Sequence, residues 1–135
     1  MNAGPEPIGL LGGIATTRAI RRTTDEPVSD DHLATILWHA SRAPTGSNRQ
    51  GFRFLVLRDD ERSRRAKALI GDSARASWAA KWAGDGYDRG SGTEPGSPKA
   101  RMAASMEHYV ERIDTVPVMI LPCLVRHRPP NPYEG

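Results

Sequence analysis

The chain has 135 residues, of which 38% are hydrophobic and 26% are charged. That length predicts a single domain with a modest core, and the composition is too apolar for an intrinsically disordered chain. Nineteen basic and 16 acidic residues leave a formal net charge of +3, which is too small a surplus to indicate nucleic-acid binding. The single cysteine, Cys123, excludes an internal disulfide and a zinc site built on several thiolates, so we expect a cytoplasmic protein.

Neither a membrane anchor nor a metal site is indicated by the sequence. The apolar stretch 8–14 contains three glycines and is far shorter than the roughly 20 residues that a membrane span requires. The four histidines have no shared metal-ligand spacing, so we predict no metal. We therefore expect a protein without a membrane or nucleic-acid partner.

The first two predicted helices carry signals of different strength. Residues 8–20 predict a short helix, which its glycines weaken by up to about 1 kcal/mol each relative to alanine. Ser29 predicts the N-cap of a second helix, which ends near Ala43 because Pro44 disfavours helical geometry in the residue before it. Apolar residues at three-and-four spacing predict the buried face of this helix, namely Leu33, Ile36, Leu37 and Ala40.

A strand and a third helix come next in the chain. The alternation of aromatic and branched residues with arginine predicts a strand at Phe52–Leu57. Asp59 or Asp60 starts the following helix, which we expect to end at Gly71 or to extend over residues 73–83. Its predicted apolar face is thin and consists of Ala66, Leu69 and Ile70.

The last third of the chain begins with a change of composition. Residues 84–98 are rich in Gly, Ser, Pro and Asp and predict a flexible loop. Residues 99–113 predict a helix, and residues 116–125 predict a strand buried on both faces, with Pro122 at an edge or a bulge. Residues 128–135 predict a terminal loop. The inward stripe of the helix consists of Met102, Met106, Tyr109, Val110 and Ile113.

Several conspicuous residues are interpreted as structural. The three tryptophans, Trp38, Trp78 and Trp82, are predicted to be packing residues. For Trp78 and Trp82, one helical turn apart, an exposed surface that contacts a dimer partner or a substrate is the alternative. Cys123 is interpreted as a small buried hydrophobic residue. A group of arginines is interpreted as a solvated helix face, with phosphate binding as the alternative, and consists of Arg62, Arg64 and Arg65.

Two other segments contain the candidate binding residues. In the first, Arg18 and Arg21 can grip one phosphate from two sides, because each guanidinium presents a planar fork of donors. The second, residues 43–50, is a small polar loop that leads into the predicted strand. The carboxamides of Asn48 and Gln50 can both donate to and accept from a planar polar ring. Taken alone, each segment also fits a solvated surface or an ordinary connecting loop.

In this order and spacing, the two segments together resemble the flavin-binding nitroreductase family. The matching motifs are Thr17-Arg18-Ala19-Ile20-Arg21-Arg22, a helix like 28–43 after Pro27-Val28, Ala43-Pro44-Thr45-Gly46-Ser47-Asn48-Arg49-Gln50, a strand like 52–58 and Val116-Pro117-Val118-Met119-Ile120. The resemblance covers most of residues 15–126, although residues 73–100 match no motif of the family.

The resemblance implies an α+β domain, with a sheet flanked by helices, that forms a homodimer and binds FMN at the dimer interface. It further implies transfer of electrons from NADH or NADPH to a small electrophilic acceptor such as a nitroaromatic or a quinone. Because the flavin carries the redox chemistry, no catalytic side chain is assigned.

Site residues follow from the resemblance by position in the motifs. Arg18 and Arg21 would hold the FMN phosphate, and Ala19 would contact it through its backbone. Asn48 and Gln50 would face the ribityl chain or the edge of the isoalloxazine ring. Pro44 and Thr45 would line the same loop. One option is that the neighbouring subunit contributes this loop to the site.

Three features depart from the family pattern. Thr17 stands where the family often has an arginine, and Gly51-Phe52 replaces the usual Pro-Trp. The family also continues for several tens of residues beyond the equivalent of Tyr133, so we expect a domain that is incomplete at its carboxyl end. The alternative function is therefore a non-catalytic or truncated remnant of the fold that acts as a binding module.

Overall fold

The computed structural model describes residues 8–125, so the predicted loop at 128–135 lies outside the described residues. The elements in chain order are α1 (Leu10–Thr16), α2 (Asp30–Ala40), β1 (Phe52–Leu57), α3 (Glu61–Asp85), α4 (Pro98–Arg112) and β2 (Met119–Leu124). Short 3-10 turns at Gly46–Asn48 and Gly90–Gly92 precede β1 and α4. This mixture of helices and a sheet confirms the predicted α+β class. No helix within residues 8–125 is long and apolar enough to cross a membrane.

The two strands form one antiparallel pair. Phe52 lies opposite Leu124 at one end of the ladder, and Leu57 lies opposite Met119 at the other. β1 has its predicted bounds, whereas β2 is shorter than the predicted range 116–125. The antiparallel orientation follows from the path of the chain, since α3 and α4 return it to the end of β1 that it left.

Burial of β2 differs from the prediction. Its first half is half-buried and its second half is exposed, so the expectation of a strand buried on both faces is wrong. Cys123 is exposed for the same reason and is not a buried hydrophobic residue. Pro122 is accommodated because β2 is an edge strand of the described sheet, as its proline predicts.

α3 is a 25-residue helix that runs through its internal glycine. Asp60 is its N-cap and accepts a hydrogen bond from the Ser63 N–H at 3.0 Å. Hydrogen bonds from the Ser63 hydroxyl and N–H hold the pKa of Asp60 below its ordinary value. The predicted end at Gly71 is wrong, and the extension over 73–83 is confirmed. The helix ends where Gly86 adopts a φ of 63°, a left-handed conformation that favours glycine.

The inward face of α3 is only partly the predicted apolar one, since Ala66 and Ile70 are half-buried but Leu69 is not. Leu69 is 66% exposed, whereas the buried positions of the helix are Ser63, Lys67, Gly71 and Trp78. Lys67 is only 2% exposed, and its Nζ donates to the Val116 carbonyl at 2.8 Å. A lysine can occupy such a face because its stem packs while its ammonium group meets an acceptor.

A second polar contact joins α3 to the segment after α4. Arg75 Nη2 donates to carboxylate oxygens of Asp114 at 3.1 Å and Asp72 at 2.9 Å, while Nη1 donates to the Val110 carbonyl at 3.2 Å. The hydrogen bond from Arg75 is the main cause of the lowered pKa of Asp114. The same interaction, together with that of Asp72, raises the pKa of Arg75.

The main hydrophobic core lies between α3 and α4. Its buried members are Trp78, Tyr87, Ala103 and Val110. Residues of the predicted stripe on α4, among them Met102 and Met106, pack against it, which confirms the inward face of that helix. The bounds of α4 are one residue from the predicted ones at each end.

The predicted loop 84–98 begins within α3, because the helix runs to Asp85. Tyr87 is only 5% exposed, and its ring centroid lies 5.2 Å from that of Trp78. Lys99 Nζ donates to the carbonyls of Asp85 and Gly86, each at 2.9 Å. The segment is thus attached to the core at both ends, and its mobility stays a prediction.

α1 and α2 are mostly exposed. Ser29 caps α2 as predicted by accepting a hydrogen bond from the His32 N–H at 3.3 Å. Leu33 is buried as predicted, whereas Ile36 on the same predicted face is 50% exposed. The prediction that Trp38 packs is wrong, since this side chain is 56% exposed. In α1 the large apolar side chains are between 66% and 81% exposed, namely Leu10, Leu11 and Ile14.

Candidate functional site

Three of the predicted binding residues form one hydrogen-bonded loop between α2 and β1. The Asn48 N–H donates to the Thr45 carbonyl at 2.9 Å, and the Gln50 N–H donates to the Thr45 hydroxyl at 3.1 Å. The side chains also meet, since Gln50 Nε2 donates to Asn48 Oδ1 at 2.8 Å. Pro44 precedes this loop and is exposed. Thr45 therefore holds both carboxamide residues in one place.

The backbone of this loop is unusual. Ser47, Asn48 and Gln50 have positive φ values of 53°, 51° and 48°. This left-handed conformation costs an L-residue roughly 1–2 kcal/mol, and such strained residues cluster at ligand-binding positions. Sequence reasoning missed the conformation of Ser47, since among these residues only Asn48 is of a type that commonly adopts it. The run of small polar residues from Thr45 was the available signal.

The arginine segment lies in the extended connection between α1 and α2. Arg18 and Ala19 are exposed, and Arg21 is half-buried. Among residues 8–125, neither guanidinium takes part in an ion pair. In the same range, no hydrogen bond joins either arginine to the loop before β1. Their donors are therefore available to an anion.

Two ion pairs attach the segment after the arginines to the far end of β1. Arg112 Nη2, at the end of α4, lies 2.8 Å from Asp25 Oδ1. Arg58, which directly follows β1, pairs with Asp30 at the start of α2. The loop with the carboxamides, in contrast, precedes the first residue of β1. The ion pairs therefore hold Asp25 and Asp30 near the end of β1 opposite the loop with the carboxamides.

The arrangement is suited to binding chemistry. Guanidinium groups form strong, charge-assisted hydrogen bonds with phosphate oxygens. Exposed carboxamides offer both donors and acceptors to the polar edge of a ring. Within the described part of the chain, no three side chains of His, Cys, Asp or Glu are grouped to hold a metal ion.

Comparison with known proteins identifies the family. Residues 14–134 match the model of the nitroreductase family, and this match spans the arginine segment, the loop and both strands. Neither a curated protein nor a solved structure matches the chain. Nitroreductases usually bind a flavin, FMN, and use it for oxidoreductase chemistry. With most of its length covered by the match, the chain belongs to the nitroreductase family.

Proposed function

We propose that the chain is an FMN-dependent oxidoreductase that transfers electrons from NADH or NADPH to a small electrophilic acceptor, such as a nitroaromatic or a quinone. Family membership supports the flavin and the reaction class. When bound, FMN supplies the redox chemistry, while the protein binds, orients and tunes it. The observation that carries the site assignment is the strained loop that Thr45 closes around Asn48 and Gln50.

The side chains of this chain fit the two polar ends of FMN. Arg18 and Arg21 offer two guanidinium forks to the phosphate, and neither is consumed by an ion pair within residues 8–125. Asn48 and Gln50 offer carboxamides to the ribityl chain or the ring edge. The backbone of Ala19, between the two arginines in sequence, completes the phosphate contact that we assign to this segment.

We further propose that one complete site requires two copies of the chain. The chain that follows the arginine segment is paired near one end of β1 through Asp25 and Asp30, and the loop precedes the other end. This placement supports a site built from the arginines of one protomer and the loop of its partner. Leu10, Leu11 and Ile14 on α1 expose most of their surface. Apolar surface of this kind is typical of a protein interface. A homodimer would cover it and bring the two parts together.

An FMN titration followed by visible absorbance tests the phosphate assignment. Arg18→Ala combined with Arg21→Ala is expected to lower FMN affinity at least tenfold, because charge-assisted hydrogen bonds are lost. The matched control is Arg62→Ala combined with Arg65→Ala, which removes two exposed arginines with the same spacing from α3. Equal FMN affinity in the two double variants contradicts the assignment.

Steady-state assays with NADH or NADPH and a nitroaromatic or a quinone test the activity. In the absence of oxygen, the FMN-loaded protein is expected to oxidise more than one equivalent of the nicotinamide cofactor per FMN only when the acceptor is present. Tight FMN binding without acceptor reduction would contradict the enzymatic proposal and leave a flavin-binding module.

A further inference from the structure

A groove of about 420 Å³ lies between α3 and α4, away from the residues assigned to FMN. Its walls combine indole and aliphatic groups with two carboxylates, and they include Trp78, Ala79, Trp82, Val110, Glu107 and Glu111. The volume lies in the range of sites that take small molecules, roughly 300–1,000 Å³. The groove is therefore large enough for a compact organic ligand.

The charge at the groove is negative. Glu107 and Glu111 lie one turn apart on α4, are exposed, and take part in no ion pair within residues 8–125. Arg75 also borders the groove, but its guanidinium is matched by Asp72 at 2.9 Å and Asp114 at 3.1 Å. Since the whole chain has a formal net charge of +3, this groove is a local region of opposite sign.

An aromatic wall accompanies the carboxylates. Trp78 is 7% exposed and belongs to the core, whereas Trp82 is half-buried and borders the groove. Their ring centroids are 5.8 Å apart and the rings are almost perpendicular, at 79°. Among aromatic side chains, tryptophan attracts a cation over its face most strongly. The carboxylates and the indole thus both favour a positively charged ligand.

We propose that this groove binds a small organic cation with an alkylated ammonium group. The ammonium group lies against the Trp82 indole, and Glu107 and Glu111 neutralise its charge. The methyl groups of such a ligand contact Ala79 and Val110, which a hydrated inorganic cation cannot do. Charge complementarity and the aromatic wall select this ligand class over anions and over neutral molecules of the same shape.

NMR spectra of the ¹⁵N-labelled full chain test the proposal through the indole N–H signals. Choline is the cationic probe, and 3,3-dimethylbutan-1-ol is its uncharged isostere. Choline is expected to move the Trp82 signal saturably and to leave that of Trp38, on the exposed surface of α2, unchanged. The neutral isostere is expected to bind at least fivefold more weakly. Equal affinity of the two probes, or equal movement of the Trp38 signal, overturns the proposal.

Charge-removing variants provide the second test. Glu107→Gln combined with Glu111→Gln is expected to lower choline affinity at least fivefold, while Glu94→Gln, an exposed glutamate outside the groove, leaves it unchanged. Choline binding that survives the double substitution overturns the role of the carboxylates. A tetralysine peptide that binds the groove more tightly than choline also overturns the proposal, because it assigns the groove to a basic protein segment.

Discussion

The hydroxyl of Thr45 accepts a hydrogen bond from the backbone N–H of Gln50 at 3.1 Å. This contact closes a loop in which Asn48 and Gln50 both have left-handed backbone conformations. Because that conformation is unfavourable, the loop depends on contacts that offset its cost. The oxygen of Thr45 thus holds the shape in which the two carboxamides are presented.

Thr45→Val tests this dependence, since valine keeps the shape of the side chain but lacks the hydroxyl. Loss of a hydrogen bond worth about 1 kcal/mol is expected to lower FMN affinity roughly fivefold. Thr45→Ser keeps the oxygen and is expected to retain affinity close to that of the parent chain. Fluorescence titration of FMN measures both variants. Retained affinity in the valine variant with reduced affinity in the serine variant would contradict the role of the hydroxyl and would show that the methyl group matters instead.

Mixed dimers test whether a flavin site is shared between protomers. Arg18→Ala/Arg21→Ala in one chain and Asn48→Ala/Gln50→Ala in the other should each abolish FMN retention in homodimers. A heterodimer purified through two different tags is expected to retain one FMN, because the intact arginines of one protomer meet the intact loop of its partner. A heterodimer without FMN would place both groups of residues in sites built from a single chain.

Two glycines of α3 are expected to respond oppositely to alanine. A β-carbon at Gly71 would lie 2.8 Å from Asp114 Oδ2 and 2.9 Å from Arg75 Nη2, whereas one at Gly84 would have no contact within 4 Å. Gly84→Ala should therefore raise the free energy of unfolding by up to about 1 kcal/mol through helix propensity. Gly71→Ala should lower it by roughly 1–3 kcal/mol through overpacking. Urea denaturation measures both, and stabilisation by both substitutions would contradict the tight packing at Gly71.

Asp114 is expected to make stability depend on acidic pH. Its hydrogen bond from Arg75 lowers the pKa of the carboxyl in the folded state. The Asp114 carboxylate therefore contributes fully to the free energy of unfolding above its unfolded-state pKa of about 3.9. This contribution is lost as the pH falls through the lower folded-state pKa. Asp114→Asn should lower the melting temperature at pH 7, and the difference from the parent chain should shrink below about pH 4.

Asp88→Asn is the matched control for that experiment, because Asp88 is exposed and forms no ion pair among the described residues. Its melting temperature should follow that of the parent chain across the pH range. A difference between Asp114→Asn and the parent chain that stays constant down to pH 2 would contradict the titration of Asp114.

Lys67→Met is expected to destabilise the fold. The side chain is 2% exposed, and its Nζ supplies a donor to the Val116 carbonyl at 2.8 Å. Methionine preserves the stem but leaves that acceptor unpaired, which should cost roughly 1–3 kcal/mol. Lys81→Met is the control, since its pair with Asp85 is on the surface and contributes little. Equal denaturant midpoints for the two variants would contradict a structural role for Lys67.

Local signals in the sequence predicted several elements correctly. Ser29 predicts the start of α2 because a hydroxyl at the N-cap accepts a hydrogen bond from a free N–H of the first turn. β1 and α4 are predicted within one residue, since their apolar spacing matches the period of the element. The arginine and loop motifs likewise indicated the family before any contact was known.

Predictions of a helix end or of side-chain burial were wrong where these depend on packing between distant segments. Gly71 was predicted as a helix end, but it lies inside α3, where Asp114 and Arg75 occupy the space that a side chain would need. Leu69 was predicted to lie on the buried face and is exposed, while Lys67, which the predicted face did not include, is buried. Apolar periodicity identifies one side of a helix. Which side is buried depends on the element that packs against the helix.

The sequence by itself determined the fold class, the principal helices and strands, and the residues that we propose for flavin binding. Only the tertiary structure decided the left-handed loop at Ser47, the buried lysine and the carboxylates that border the tryptophan groove. It also decided that Asp25 and Asp30, which follow the arginine segment, are paired near the end of β1 opposite the loop. The physical reason is that capping and periodicity act over one or two turns, whereas these features depend on contacts between residues far apart in the chain.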